Sequence, residues 1–246
     1  MALALLVFAA GVGVAIGLVG VGGVLLAPAL VQVGGMTPQS AVATSTWAFL
    51  FTGVVGTAAY ARARAISWSM LGRLALGVVP AAFLGARTNA LLRGDVILLL
   101  ISALTLLVGV QQLWSRRQRP AGPELGPARL VVIGAAVGFG SALTGTGGPV
   151  LLVPVLLALG VAPLPAVAVS QAVQLPVVGA ASIGYLQAGL TDVRLGSLLG
   201  LAAGAGVLGG ALFAPRLDPA RLRQAVAVAC VSVGLFLLIR TASTMG

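Results

Sequence analysis

The chemistry of this chain concentrates in two glycine-dense segments, GLVGVGGVLLAPAL from Gly17 to Leu30 and LTGTGGPVLLVPVL from Leu143 to Leu156. In the first, Gly20, Gly22 and Gly23 precede a short apolar piece that carries a proline. In the second, Gly145, Gly147 and Gly148 do the same. Glycine lets a backbone leave helical geometry at low steric cost. In hydrocarbon the N–H groups freed by such a break must find partners, so a break is tolerated only where it is buried in protein or lines a cavity. The residues that follow, Val24 onward and Pro149 onward, start a new helix whose open N–H groups and positive dipole end favour an anion, and proline suits that first turn. Two such N-termini approaching from the two copies make one anion site. The glycines at 11, 13, 17, 200, 204, 206, 209 and 210 lack this context and read as close-packing residues of membrane helices.

Neutral hydrogen-bonding side chains follow each break. They are Thr44, Ser45 and Thr46 in ATSTW, and Ser170, Gln171 and Gln174 in VSQAVQ, with Thr144 and Thr146 inside the second break itself. Each has two readings, a bond to its own or a neighbouring helix, or a direct ligand to the anion. Neutral donors suit a site that must release its cargo, because a buried arginine would hold an anion strongly. Arg73 and Arg87, near span ends, read as snorkelling anchors. Asp192 reads as a helix cap. No acid falls deep in a span, so no proton-relay carboxylate is evident, and the coupling ion, proton or sodium, stays open.

Composition fixes the solvent. Hydrophobic residues make up 59% of the 246, charged residues 7%, and the mean hydropathy is +1.14, values of a polytopic membrane protein and not of a soluble domain. The net charge of +10 comes from arginines placed between apolar segments, where they anchor helix ends and set orientation. They form no basic helix or aromatic-studded groove for nucleic acid. The chain has no histidine, four acids and one cysteine, Cys230. The usual ligands and proton carriers are therefore missing, and neither an enzyme, a metal site nor a cofactor is expected. The first apolar run, 1–19, has no basic leader and is read as structure, not signal peptide.

The elements that must position the breaks follow from apolar length. Segments fall near 2–19, 24–33, 39–60, 68–88 and 95–114, then 129–144, 150–161, 164–187, 193–213 and 221–240. The run SRRQRPAGPELGPAR, Ser115 to Arg129, separates them as a Pro-rich charged linker. An offset of 126 lays Gly22 on Gly148, Leu25 on Leu151, Pro28 on Pro154 and Thr44 on Ser170. The chain is thus expected to be one transmembrane transporter domain over 1–246, with repeats 1–114 and 129–246 and a linker at 115–128. The fold class is an all-α integral membrane protein of two homologous halves. Each half has a glycine-broken, re-entrant or discontinuous helix pair and three long spans. Inverted repeats with the N-terminus outside place ten arginines inside and four outside. Parallel repeats give nine and five, so the positive-inside rule favours inversion.

The duplicated G-x-G-G segment followed by a proline resembles that of the sulfite exporter TauE/SafE family of anion permeases, and the resemblance extends over the length, the duplication and the basic linker. Pro149 departs from it by inserting a residue in the second copy. The resemblance implies a secondary transporter in the cytoplasmic (inner) membrane, exporting sulfite or a short organosulfonate by alternating access. Its partners are then a small anionic substrate and membrane lipid, and its small-residue faces allow a homodimer. An anion channel with the same site remains an alternative. So does a membrane scaffold for a soluble sulfur-metabolising enzyme.

Overall fold

The structure, a computed structural model, describes residues 2–19, 22–114, 126–213, 224, 227, 228 and 230–239. Gly20 and positions 115–125 of the expected linker lie outside the described residues, as does part of the segment expected at 221–240. The first half comprises α1 (Ala2–Val19), a single tight turn (Gly23–Leu25) leading into α2 (Leu26–Gln32), α3 (Pro38–Arg62), α4 (Trp68–Leu91) and α5 (Gly94–Trp114). The second comprises α6 (Pro127–Thr144), α7 (Pro149–Ala158), α8 (Pro163–Gln187), α9 (Val193–Phe213) and α10 (Cys230–Ile239).

Helix limits follow local chemistry. Thr37 caps α3 by accepting the Ser40 N–H at 3.3 Å, and Asp192 caps α9 by accepting the Leu195 N–H at 2.9 Å. Pro38, Pro127, Pro149 and Pro163 each occupy a first helical turn, where the missing N–H costs nothing. Pro127 lengthens α6 to 18 residues, or about 27 Å, so α6 is longer than the 16-residue piece read from the sequence. Among the described residues six helices, α3, α4, α5, α6, α8 and α9, are long and apolar enough to cross a membrane.

Small residues set the packing. A Cβ on Gly13 or Gly17 would run into the carbonyls of Ala203 and Val207, and one on Gly206 or Gly210 into those of Ala10 and Val14. The α4/α6 contact repeats the device, with Gly134 and Gly138 against Leu74 and Val78, and Gly77 against Val131. Backbones approach closely only because no side chain intervenes, which is how helices attract in lipid. Gly200 packs on Ala48 and Phe51, whereas Gly11 and Gly209 face open space, so these two do not serve the packing role assigned to them from sequence.

The same contacts give directions. Successive residues of α1 meet successive residues of α9, and Gly196 and Gly200 of α9 meet Thr44 and Ala48 of α3. Helices α1, α3 and α9 therefore run one way. Between α3 and α8 the order reverses, with Phe49 bonded to Gln174 and Thr57 to Gln171. Helices α4, α6 and α8 end together, Gly184 against Ala86 and Tyr185 against Ala142. Helices α3 and α8 are central, with 61% and 72% of their apolar windows buried against 33% for α4 and α5. The outer helices turn apolar side chains such as Leu76, Leu107 and Leu201 outward, as a lipid-facing surface requires. Cys230 is buried with Val24, Val108 and Val150 and packs as an apolar residue.

Candidate functional site at the two chain breaks

The second break is built from an ordinary helix stop followed by a strained start. Helix α6 ends at Gly145, whose φ of 69° is left-handed, and the N–H groups of Gly145 and Thr146 both close on the Ser141 carbonyl at 2.8 and 3.2 Å. Gly147 and Gly148 have φ of 78° and 105°, a region that side chains enter only at a cost of about 1–2 kcal/mol. Helix α7 then starts at Pro149, with the Leu151 and Leu152 N–H groups on the Gly148 carbonyl. The N–H groups of Gly147, Gly148 and Val150 have no hydrogen-bond acceptor among the described residues, although all three residues are buried. Buried N–H groups are rarely left unpaired, so this turn carries three donors open to a ligand or water.

That space lies between the breaks. Gly23 of the first break is close enough to the second that its Cβ would lie 3.4 Å from the Thr146 carbonyl oxygen, and 3.1 Å from Phe49 Cζ. A Cβ on Gly147 would lie 3.1 Å from Phe49 Cδ2 on the other side. The cavity left among them is about 10 Å³ and is lined by Ile16, Gly23, Phe49, Thr146, Pro149, Val150 and Gln174, room for about one water molecule. Phe49 and Gln174 stand near the midpoints of α3 and α8. The breaks therefore meet halfway along the two central helices.

Not every residue singled out in the sequence reaches this cavity. Gly23, Thr146 and Gln174 line it, and a Cβ on Gly147 or Gly148 would meet Phe49, Gln174 or Val177 beside it. Gly22 packs on α1, a Cβ there falling 3.0 Å from Ala15 Cβ. Ser45 donates to the Val42 carbonyl at 3.0 Å and lies against the Gly145 carbonyl at 3.5 Å, so it touches the break from behind. Thr144 donates to the Gly140 carbonyl at 2.7 Å and lies 3.4 Å from the Thr146 hydroxyl. Thr46 and Ser170 bond back to their own helices at Val42 and Ala166. Thr44 faces away, its hydroxyl accepting the Asp192 N–H at 3.1 Å. Gln171 is buried against Gly56, its Oε1 without a partner.

The sequence reading missed the side chains that hold the break in place. Asn89 of α4 donates to the Leu143 carbonyl at 2.8 Å, and the Tyr185 hydroxyl of α8 donates to the Ala142 carbonyl. These two caps satisfy carbonyls that the end of α6 would otherwise orphan in a dry interior. Asn89 is the only asparagine in the chain, and its place within an apolar span was the signal available. Tyr185 had one too. Pro38 and Pro163 open helices of equal length, 25 residues each, which pairs Tyr60 with Tyr185, the chain's two tyrosines, and Phe49 with Gln174. The offset of 126 is one residue out of step with that pairing. All described arginines, at 62, 64, 73, 87, 93, 129 and 194, are exposed, so none supplies charge to the cavity.

A family model described as "Sulfite exporter TauE/SafE" matches residues 3–237. A "Probable membrane transporter protein" of Xylella fastidiosa (strain 9a5c) is 34% identical over 157 residues, an overlap covering 59% of either chain. The chain thus spans less than two thirds of that relative's length. The "Probable membrane transporter protein YjnA" of Bacillus subtilis (strain 168) is 28% identical over 243 residues, 92% of this chain and 96% of that protein. No solved structure matches the chain. With six apolar helices of spanning length, these relatives make the chain a multi-pass integral membrane protein.

Proposed function

Because the chain belongs to the sulfite exporter TauE/SafE family, a family of membrane transporters, we propose that it is a secondary transporter, not an enzyme, that exports small sulfur oxyanions across the inner membrane. Sulfite and short organosulfonates are the substrate class. The observation that carries this reading is the set of three buried N–H donors at Gly147, Gly148 and Val150, unclaimed among the described residues, in a turn whose Thr146, Pro149 and Val150 line the cavity between the breaks. Donors on a backbone cannot be withdrawn by titration, and a helix start adds positive potential where an oxyanion needs it.

The helix directions support inverted repeats. Helices α1, α3 and α9 oppose α6, α8 and α4, their counterparts in the other half. Helix α2 starts beside Phe49 and returns to the foot of α3, and α7 starts beside Gln174 and returns to the head of α8. Each broken pair then enters as a hairpin from its own side, and the two tips meet at the middle. A cavity of about 10 Å³ is too small for an oxyanion of sulfur, so binding requires the two tips to part, and in the proposed alternating access they open to one side or the other.

The test is efflux of labelled sulfite from vesicles carrying wild type, Gly147→Val or Gly148→Val. Valine at a left-handed φ must displace the turn, so both variants should insert and fold but not transport. Normal transport by both would remove the site assignment.

A further inference from the structure

Gln174 is fixed in a way that determines which of its two ends a ligand meets. Its amide nitrogen donates to the Phe49 carbonyl at 3.0 Å and to the Thr52 hydroxyl at 2.8 Å. Thr52 in turn donates its own proton to the Phe49 carbonyl at 3.2 Å. Both neighbours therefore accept from Gln174. The amide cannot be flipped without setting oxygen against oxygen, and both N–H bonds are spent. The side chain is 2% exposed and lines the cavity, and its Oε1 accepts no hydrogen bond among the described residues. An unclaimed acceptor thus belongs to a cavity-lining side chain that packs against the second break, a Cβ on Gly147 falling 3.6 Å from its Nε2 and one on Gly148 3.9 Å from its Cα.

We propose that Gln174 selects ligands that carry a hydrogen-bond donor beside their anionic oxygens. These are a protonated oxyanion such as hydrogen sulfite, or a sulfonate bearing a terminal O–H or N–H. The proposal rests on the anion-site reading above. The oxyanion end takes the N–H groups of Gly147, Gly148 and Val150, and the donor end takes Gln174 Oε1. A fully deprotonated dianion is disfavoured twice. It sets a lone pair against Oε1, and no described arginine reaches the cavity to offset its second charge. The charged and titratable side chains on the elements packed against α8 are Tyr60 and Arg62 of α3, Arg73 and Arg87 of α4 and Arg129 of α6, with Tyr185 on α8 itself. None lines the cavity. A pH dependence of binding therefore reports the ligand's proton.

The probes are 2-hydroxyethanesulfonate and propane-1-sulfonate, monoanions of nearly equal size that differ in a terminal O–H against a methyl. Kd is measured by calorimetry on the detergent-purified protein. Leaving Oε1 unpaired should weaken propane-1-sulfonate about tenfold relative to its hydroxyl partner, despite its greater apolar surface. Gln174→Met should bring the ratio to about one or reverse it, whereas Thr52→Val, which keeps the Phe49 anchor, should preserve it. Sulfite affinity should fall as pH rises through the loss of the hydrogen sulfite proton, with propane-1-sulfonate unchanged over that range. Equal wild-type affinities for the two sulfonates, with pH-independent sulfite binding, would overturn the role of Gln174 and leave the anion site standing. Binding of no anion would overturn both.

Discussion

Replacing Tyr185 by phenylalanine removes one hydroxyl and nothing else, which makes it the cleanest perturbation of the break. The hydroxyl is the cap of the Ala142 carbonyl, in a side chain that is fully buried. An unpaired carbonyl in such a place costs about 1–3 kcal/mol, or roughly 5–150-fold in the equilibrium for opening the last turn of α6. Asn89→Leu exposes the next carbonyl, that of Leu143, to the same penalty. The two caps serve one turn, so the double variant should cost less than the sum, since a turn already open loses nothing more. Amide exchange in detergent reads this locally. Exchange at 142–148 should accelerate by that factor in Tyr185→Phe while α9 keeps its protection, and sulfite affinity should drop with it. Unchanged exchange at 142–148 with unchanged thermal stability would refute the claim that side-chain caps hold the break.

Other substitutions separate packing from site. Gly138→Leu must push α6 off α4, since a Cβ there already lies 2.8 Å from the Val78 carbonyl. A loss of at least about 2 kcal/mol should appear as a lower melting temperature and poor gel-filtration profile. Gly179→Ala meets open space within α8 and should stabilise the fold by about 0.5–1 kcal/mol, with transport unaffected. Thr44→Val loses the bond to the Asp192 N–H and should cost about 1 kcal/mol of stability without changing anion affinity in a calorimetric titration.

Much of the fold was legible because membrane helices declare themselves by apolar length. Nine of the ten segments agree with helix limits to within about three residues, where fraying and assignment account for one or two, and the tenth lies partly outside the described residues. The glycine breaks were legible for a related reason, since dense glycine before a proline-led helix has few other uses. What sequence could not separate was the orientation of the hydroxyls. Thr44 and Ser45 are neighbours on one helix, yet one faces α9 and the other faces the break, since each residue turns the helix by about 100°, which polarity alone does not reveal. Phe49 was passed over for the opposite reason. A search for donors ignores an aromatic ring, although this one fills the space between Gly23 and Gly147. The packing glycines show the same limit. Gly13 and Gly11 lie on one helix in like context, and only Gly13 meets a neighbour's backbone.

The most direct test of the anion site is the thermal stability of the detergent-purified protein against sulfite, sulfate, thiosulfate, sulfoacetate, acetate and chloride at matched ionic strength. A ligand that binds only the folded state raises the melting temperature in a saturable way. The anion site requires such a rise with sulfite or a sulfonate and its loss in Gly148→Val. A rise that persists in Gly148→Val, or none with any anion, would contradict it.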